Sequence, residues 1–217
     1  MTLTTQGDVP IHYTLDGSEP TAASPRYTGP VEIGKSARFR ATALREGGEN
    51  ASYSREFAFS KSTGRPAVLN TKPNDSYTFE GASLLVDGYH SRPVFTSGAW
   101  LGYLDEPLDV TIDMGGEQSY RSVELETLAE KGDWIFPPSS VTVWVSDNGT
   151  DFTEVASVAV PEAKAGDADG IGRYRMQFPE TSARYLKVVA QNAAAIPAWH
   201  PGAGSKGFLF VDEVVVE

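Results

Sequence analysis

Two carboxylates near the end of the chain pose the first chemical question. Residues 208–217 read Phe-Leu-Phe-Val-Asp-Glu-Val-Val-Val-Glu, an apolar run of the kind that forms a strand covered on both faces. Asp212 and Glu213 interrupt it. Neighbouring residues on a strand point to opposite faces, so at least one of the two must face inward. A buried carboxylate without a partner is costly. It therefore calls for an arginine such as Arg92, a group of backbone N–H donors, or a metal ion.

A second set of residues suits recognition of a polar ring. Such a ring needs an aromatic surface for its C–H face and a few polar groups for its hydroxyls. The segment Ile196-Pro-Ala-Trp-His-Pro-Gly-Ala-Gly204 has both: Trp199 can stack while His200 donates. The competing reading has Trp199 closing one end of the fold and His200 bonded to backbone. Trp134, in a loop ended by Pro137 and Pro138, is the next candidate, followed by Tyr89, His90 and Tyr103. Trp144 alternates with Val143 and Val145, which is core spacing, and Trp100 sits between glycines as a structural residue. No catalytic constellation is visible. The chain has no cysteine and only His12, His90 and His200, so a nucleophilic triad or a zinc site has too few parts.

The elements that hold these residues read as strands and turns. Gly 21, Pro 14 and the lack of helical periodicity indicate an all-β class. Residues 11–15, 31–33, 37–44 and 53–59 are expected strands of a small sandwich, with a hairpin turn at 46–49. Residues 61–66 lose periodicity and are expected to be a linker. Beyond it, strands are expected at 108–114 and 120–128, split by a turn at Gly115-Gly116. Further strands are expected at 141–146, with 152–158 as its hairpin partner, at 173–178, at 184–191, and at the chain end. Residues 192–206 form a long loop. The net charge is −11. Residues 1–60 hold six Lys/Arg and seven Asp/Glu, residues 61–217 twelve and twenty-two. So acidic a chain disfavours nucleic acid and anionic lipid as partners and suits neutral ligands and divalent cations.

The motif Tyr13-Thr-Leu-Asp-Gly-Ser-Glu-Pro20 with Ser24-Pro-Arg-Tyr-Thr-Gly-Pro30 resembles the fibronectin-III-like domain found at the C-terminus of chitobiases and β-N-acetylhexosaminidases. The resemblance implies a small Ig/fibronectin-III-like sandwich over residues 1–60, without catalytic residues. Asp16, Glu19 and Tyr27 then serve turns and packing.

From residue 67 on, Leu85-Val-Asp-Gly88, Trp100-Leu-Gly-Tyr103, Val110-Thr-Ile-Asp-Met-Gly115, Val143-Trp-Val-Ser-Asp-Asn-Gly149, Arg184-Tyr-Leu-Lys-Val188 and Phe210-Val-Asp-Glu-Val214 occur in one order. Together they resemble the coagulation factor V/VIII type C, or discoidin, domain, whose fold is shared by family 32 carbohydrate-binding modules. The resemblance covers 67–217 and implies a jelly-roll (galactose-binding-like) β-sandwich. It also implies a structural calcium held by Asp87 and Glu213, with Asp212 as substitute. Tyr89-His-Ser-Arg-Pro93 departs from the family pattern, in which Asn or Asp and then Thr-x-Trp follow the Asp-Gly.

The pair of modules resembles the C-terminal region of a secreted family 20 glycoside hydrolase of Bacteroidetes type. That implies a non-catalytic monomer that binds a galactose- or N-acetylhexosamine-type glycan weakly, does not insert into membranes, and is joined to an upstream catalytic domain. It implies a secreted, periplasmic or cell-surface location, with a signal peptide upstream. Two other roles fit the same modules: packing on a catalytic barrel to stabilise it, or adhesion to proteins and cell surfaces.

Overall fold

A computed structural model describes residues 1–217 apart from Gln6, Glu46, Gly48 and Glu49. The chain divides into two compact units, Met1–Phe59 and Ser60–Glu217.

The first unit is built on three antiparallel strands, β1 (Ile11–Thr14), β2 (Ala37–Ala43) and β3 (Ala51–Phe57), in the order β1-β2-β3. Phe39 is fully buried, stacked on Tyr13 at 5.8 Å and edge-on to Tyr53 at 6.4 Å. The motif turn is held by Asp16, whose Oδ1 accepts from the Ser18 N–H and hydroxyl at 2.9 and 2.6 Å. Those bonds hold the Asp16 carboxyl below its usual range. Glu19 pairs with Arg40 at 2.9 Å, and the Tyr27 hydroxyl accepts from the Leu3 N–H. The expected strand at 31–33 is not one. Val31 instead exchanges two hydrogen bonds with Met1, at 2.7 and 2.9 Å. The expected turn at 46–49 lies, except for Gly47, outside the described residues.

The second unit is a β-sandwich made from two long bent strands. Its extended segments are β4 (Ala67–Leu69), β5 (Tyr89–His90), β6 (Leu101–Tyr103), β7 (Leu108–Ala129), β8 (Ser140–Ser146), β9 (Thr153–Ala159), β10 (Gly170–Gln191) and β11 (Leu209–Val216). Hydrogen bonding runs β6-β11-β7-β10-β8-β9, with β4 added to β7. The first part of β7 pairs with β4 and the end of β10; its second part pairs with β11 and the start of β10. Each long strand therefore passes from one layer to the other. Leu108, Val110, Ile112 and Met114 meet Val123, Leu125, Val143, Leu186, Val188, Val211 and Val214 in one fully buried core.

Three expectations are corrected here. Gly115-Gly116 does not end a strand. Gly115, at φ +80, bends a continuous β7, and the expected pair 173–178 and 184–191 is likewise one strand, irregular at 177–185. Bending costs less than breaking the ladder because every backbone N–H and C=O needs a partner. Residues 61–66 are not a free linker either. The Ser62 hydroxyl is buried on the Val214 carbonyl, and the Lys61 N–H donates to Val216. This segment belongs to the second unit.

Candidate functional site

The two chemical questions raised by the sequence resolve into two clusters, both in the second unit. The first surrounds the last strand. Between Val211 and Val214 the pairing of β11 with β7 gains one residue, a β-bulge. A bulge sets two residues opposite one, so the alternation fails there and both Asp212 (1% exposed) and Glu213 (0%) are buried. Fully buried Glu126 lies on the facing stretch of β7.

Each carboxylate in this cluster has a different solution. Asp212 anchors the preceding loop: Ser91 donates its N–H and hydroxyl to the two oxygens at 2.8 and 3.1 Å. Glu126 accepts from Arg173 at 2.8 Å and lies 2.9 Å from His90 Nδ1. Glu213 accepts the Gly88 N–H at 3.2 Å through Oε2, while its buried Oε1 has no hydrogen-bond partner. Asp87 takes the Tyr89 N–H at 2.8 Å. Burial, with the nearby charges of Glu126 and Asp87, pushes the Asp212 carboxyl up to about 8. Burial, with the charges of Asp87 and Asp212, pushes Glu213 up to about 10. Arg92 is not the partner of either residue; its carbonyl accepts the buried Trp100 indole N–H.

The donor set can be tested against calcium on the orphaned oxygen. Glu213 Oε1 is a buried hard oxygen in want of positive charge, with Asp87 close enough to raise its proton affinity. Asp212 has both oxygens committed to Ser91. Among the described residues no three His, Cys, Asp or Glu side chains converge as ligands. Calcium takes six to eight oxygens and accepts carbonyls and water among them. Of the three implied ligands, Glu213 keeps one oxygen that a cation would satisfy and has the charge of Asp87 close by, while Asp212 serves as a loop anchor.

The second cluster lies on the loops at 130–138 and 192–207. A tight turn joins Glu130 and Ile135, which exchange two backbone hydrogen bonds of 3.1 Å. Trp134 is the last residue of this turn, in the left-handed conformation, φ 64, with 43% of its surface exposed. Its ring lies on Gly202, where an added Cβ would come within 2.8 Å of it. Trp199 is 39% exposed, 6.3 Å from Phe136, and its indole N–H donates to the Ala163 carbonyl at 3.0 Å. Beside it opens a cavity of about 370 Å³ lined by Phe136, Pro137, Pro161, Glu162, Ala194 and Pro197.

His200 does not do what its sequence position suggests. It is buried between Trp134 and Trp199, ring centroids 6.0 and 5.6 Å away. The Gly202 N–H donates to Nδ1 at 3.0 Å, so the ring proton is on Nε2, which donates to the Lys131 carbonyl at 3.0 Å. Both nitrogens are used. The expectation that His200 donates to a ligand is corrected: it fixes the two tryptophan loops against each other.

Tyr89 and His90 are placed with the acid cluster, His90 on Glu126, and not with the tryptophans. Tyr103 is fully buried. Sequence reasoning missed the aromatic ridge of Tyr77, Phe95, Phe208 and Phe210, whose ring centroids lie 4.7 to 6.3 Å apart. The density of Phe and Tyr in 77–95 was its only signal. Phe79, 46% exposed, stands beside that ridge.

Residues 70–206 match the F5/8 type C domain and residues 1–57 match the model described as Fn3 associated. No curated protein matches the sequence. Among solved structures, the chain is similar to chitosan-binding module 1 of a chitosanase/glucanase from Paenibacillus sp. IK-5, at 18% identity over 73% of this chain and 98% of that one, TM-score 0.47. It is similar to CpGH89CBM32-5 from Clostridium perfringens in complex with GalNAc-beta-1,3-galactose, at 17% identity over 70% and 93%, TM-score 0.47. It is also similar to the lectin domain of lectinolysin complexed with Lewis B antigen, at 17% over 73% and 95%, TM-score 0.49.

Proposed function

The chain belongs to the F5/8 type C domain family, and from that premise we propose that its second unit binds neutral glycan through Trp134 and Trp199. The observation that carries this reading is the pair of half-exposed tryptophans held on adjoining loops by one buried histidine. Ordering two large rings in advance removes a cost that binding would otherwise bear. The Trp134 indole stacks on the C–H face of a pyranose ring. The apolar cavity beside Trp199 has room for an acetamido group, which favours N-acetylhexosamine over galactose. Affinity is weak because an open site buries little area and many hydroxyls must be desolvated.

In this reading the chain breaks no bonds. It acts as an accessory region of a secreted glycosidase of the β-N-acetylhexosaminidase type and holds the catalytic domain near its glycan. Support for that parent comes from the Tyr13–Pro20 motif of the first unit standing directly before a module of this family. Glu213 and Asp87 would hold calcium, which when bound supplies the positive charge that a buried carboxylate lacks. Ser91, on Asp212, keeps the adjoining loop in place.

Calorimetric titration of the chain with N-acetylglucosamine, N-acetylgalactosamine and galactose, with and without chelator, tests the reading. Saturable binding that is stronger for the acetylated sugars and lost in Trp134→Ala is expected. No heat from any sugar, in calcium or without it, overturns the reading.

A further inference from the structure

Among the described residues two non-glycine positions have positive φ, Phe79 at 35 and Trp134 at 64. This conformation is unfavourable for a bulky side chain, and where it persists the surrounding structure must enforce it. Both residues are aromatic, and both are close to half exposed, at 46% and 43%. Each ring also lies against a glycine on a neighbouring loop. A Cβ built on Gly98 would touch the Phe79 ring at 3.6 Å, and one on Gly202 would meet Trp134 at 2.8 Å. The same construction thus occurs twice: a strained turn presents a ring, and a bare backbone supports its back.

Both turns join one ridge, Phe79 through its ring and Trp134 through its backbone. Tyr77 lies 6.5 Å from Phe79 and 5.5 Å from Phe208. The Phe208 N–H in turn donates to the Trp134 carbonyl at 2.8 Å. Phe79 is not part of the core packing: Tyr77, Phe95 and Phe208 are the partly buried rings set against the buried cluster of Trp100, Leu128, Ile135 and Phe210.

Resting on the glycan-binding reading above, we propose that Phe79 is a second stacking platform, so that the chain takes an oligosaccharide with one ring on Trp134 and another on Phe79. The chemistry favours a neutral sugar over a lipid or protein surface. Val94, 49% exposed, lies on one of the loops around Phe79, but exposed Glu80, Arg92, Thr96 and Ser97 flank these two apolar residues along the chain and offer groups to hydroxyls. A lipid or protein contact would need a contiguous apolar patch. The acidic charge of this part of the chain also opposes anionic membranes.

The experiment compares monomer with tetramer of β-1,4-linked N-acetylglucosamine, and galactose and N-acetylgalactosamine with neutral tetrasaccharides that they terminate. Each is titrated into the full chain and into Phe79→Gly and Trp134→Ala. Glycine removes the ring and relieves the backbone, so the melting temperature of Phe79→Gly is expected to hold or rise. For the natural chain the tetrasaccharide should bind about tenfold more tightly than the monosaccharide. In Phe79→Gly that ratio should fall close to one, whereas Trp134→Ala should lose both ligands. The proposal is overturned if the natural chain shows no gain with length, or if Phe79→Gly keeps the gain. A variant that loses monosaccharide and tetrasaccharide equally while melting earlier marks Phe79 as structural and also overturns it. Absence of all sugar binding removes the underlying reading and this proposal together, which separates the two failures.

Discussion

At the scale of single residues, the two clusters show opposite uses of burial. His200 is buried with every polar atom matched, and Glu213 is buried with one oxygen unmatched. A matched group stiffens its surroundings, whereas an unmatched carboxylate is destabilising until charge is supplied. Gly202→Ala tests the first use. The new methyl would stand 2.8 Å from the Trp134 ring, and a side-chain tip yields more readily than backbone. The ring should tilt and glycan affinity fall by about 1 kcal/mol, with the melting temperature changed by less than about 4 °C. Unchanged titration curves would show that the Trp134 ring is not the platform. Calcium tests the second use. At a concentration of about 100 Kd the cation should add roughly 2.7 kcal/mol to stability, which is about 5–10 °C for a unit of this size. Chelator should remove that increment in the natural chain and do nothing in Glu213→Gln. A chelator effect of the same size in both proteins would move the cation elsewhere.

At the scale of elements, the long bent strands decide which parts meet. β7 bends at Gly115 and β10 is irregular at Arg184, and the two bends are joined there by a bidentate pair. Arg184 Nε and Nη2 donate to Asp113 at 2.9 and 2.8 Å, and Asp113 also accepts the Gly115 N–H. These donors hold the Asp113 carboxyl down at about 2. A depressed carboxylate adds stability above its unfolded value, roughly 3.9, and loses it as pH falls through the folded one. Asp113→Asn should therefore melt earlier than the natural chain at pH 7, and the gap should close between about pH 4 and pH 2. A gap independent of pH would mean that the bend depends on shape and not on charge. The same elements show what could be read in the sequence. Strand identity was readable wherever apolar residues alternate, as in 108–114 and 141–146, and so was the hairpin at Asn148-Gly149. Continuity was not, because Gly115-Gly116 has the local chemistry of a turn and only the flanking ladders make it a bend. The inward carboxylate was readable from alternation, but the burial of both was not, because a bulge depends on the facing strand. The tryptophans were readable as candidates. The commitment of His200 to two backbone groups, and the support of Phe79 by Gly98, depend on loops distant in sequence.

At the scale of the molecule, charge and unit boundaries determine what kind of ligand can be held. Every residue of both clusters lies within Ser60–Glu217, and each unit has its own core. A fragment of residues 60–217 should therefore fold, and it should bind the same sugars with the affinity of the full chain within about twofold. Its start must include Ser62, since that hydroxyl is buried on the Val214 carbonyl of the last strand. A fragment that begins at residue 67 should melt earlier, because it leaves that carbonyl without its donor. The acidic surface sets the second expectation. Charged partners of such a chain would be sensitive to ionic strength, since salt screens exposed charges beyond about 10 Å at 0.1 M. Stacking on an uncharged ring involves no such charges. Titrations with N-acetylglucosamine oligomers in about 0.05 M and about 0.5 M salt should therefore give the same affinity, and anionic vesicles should not bind at either. An affinity that falls steeply with salt would show that the chain recognises charge, and the tryptophan platform would then not be the principal contact.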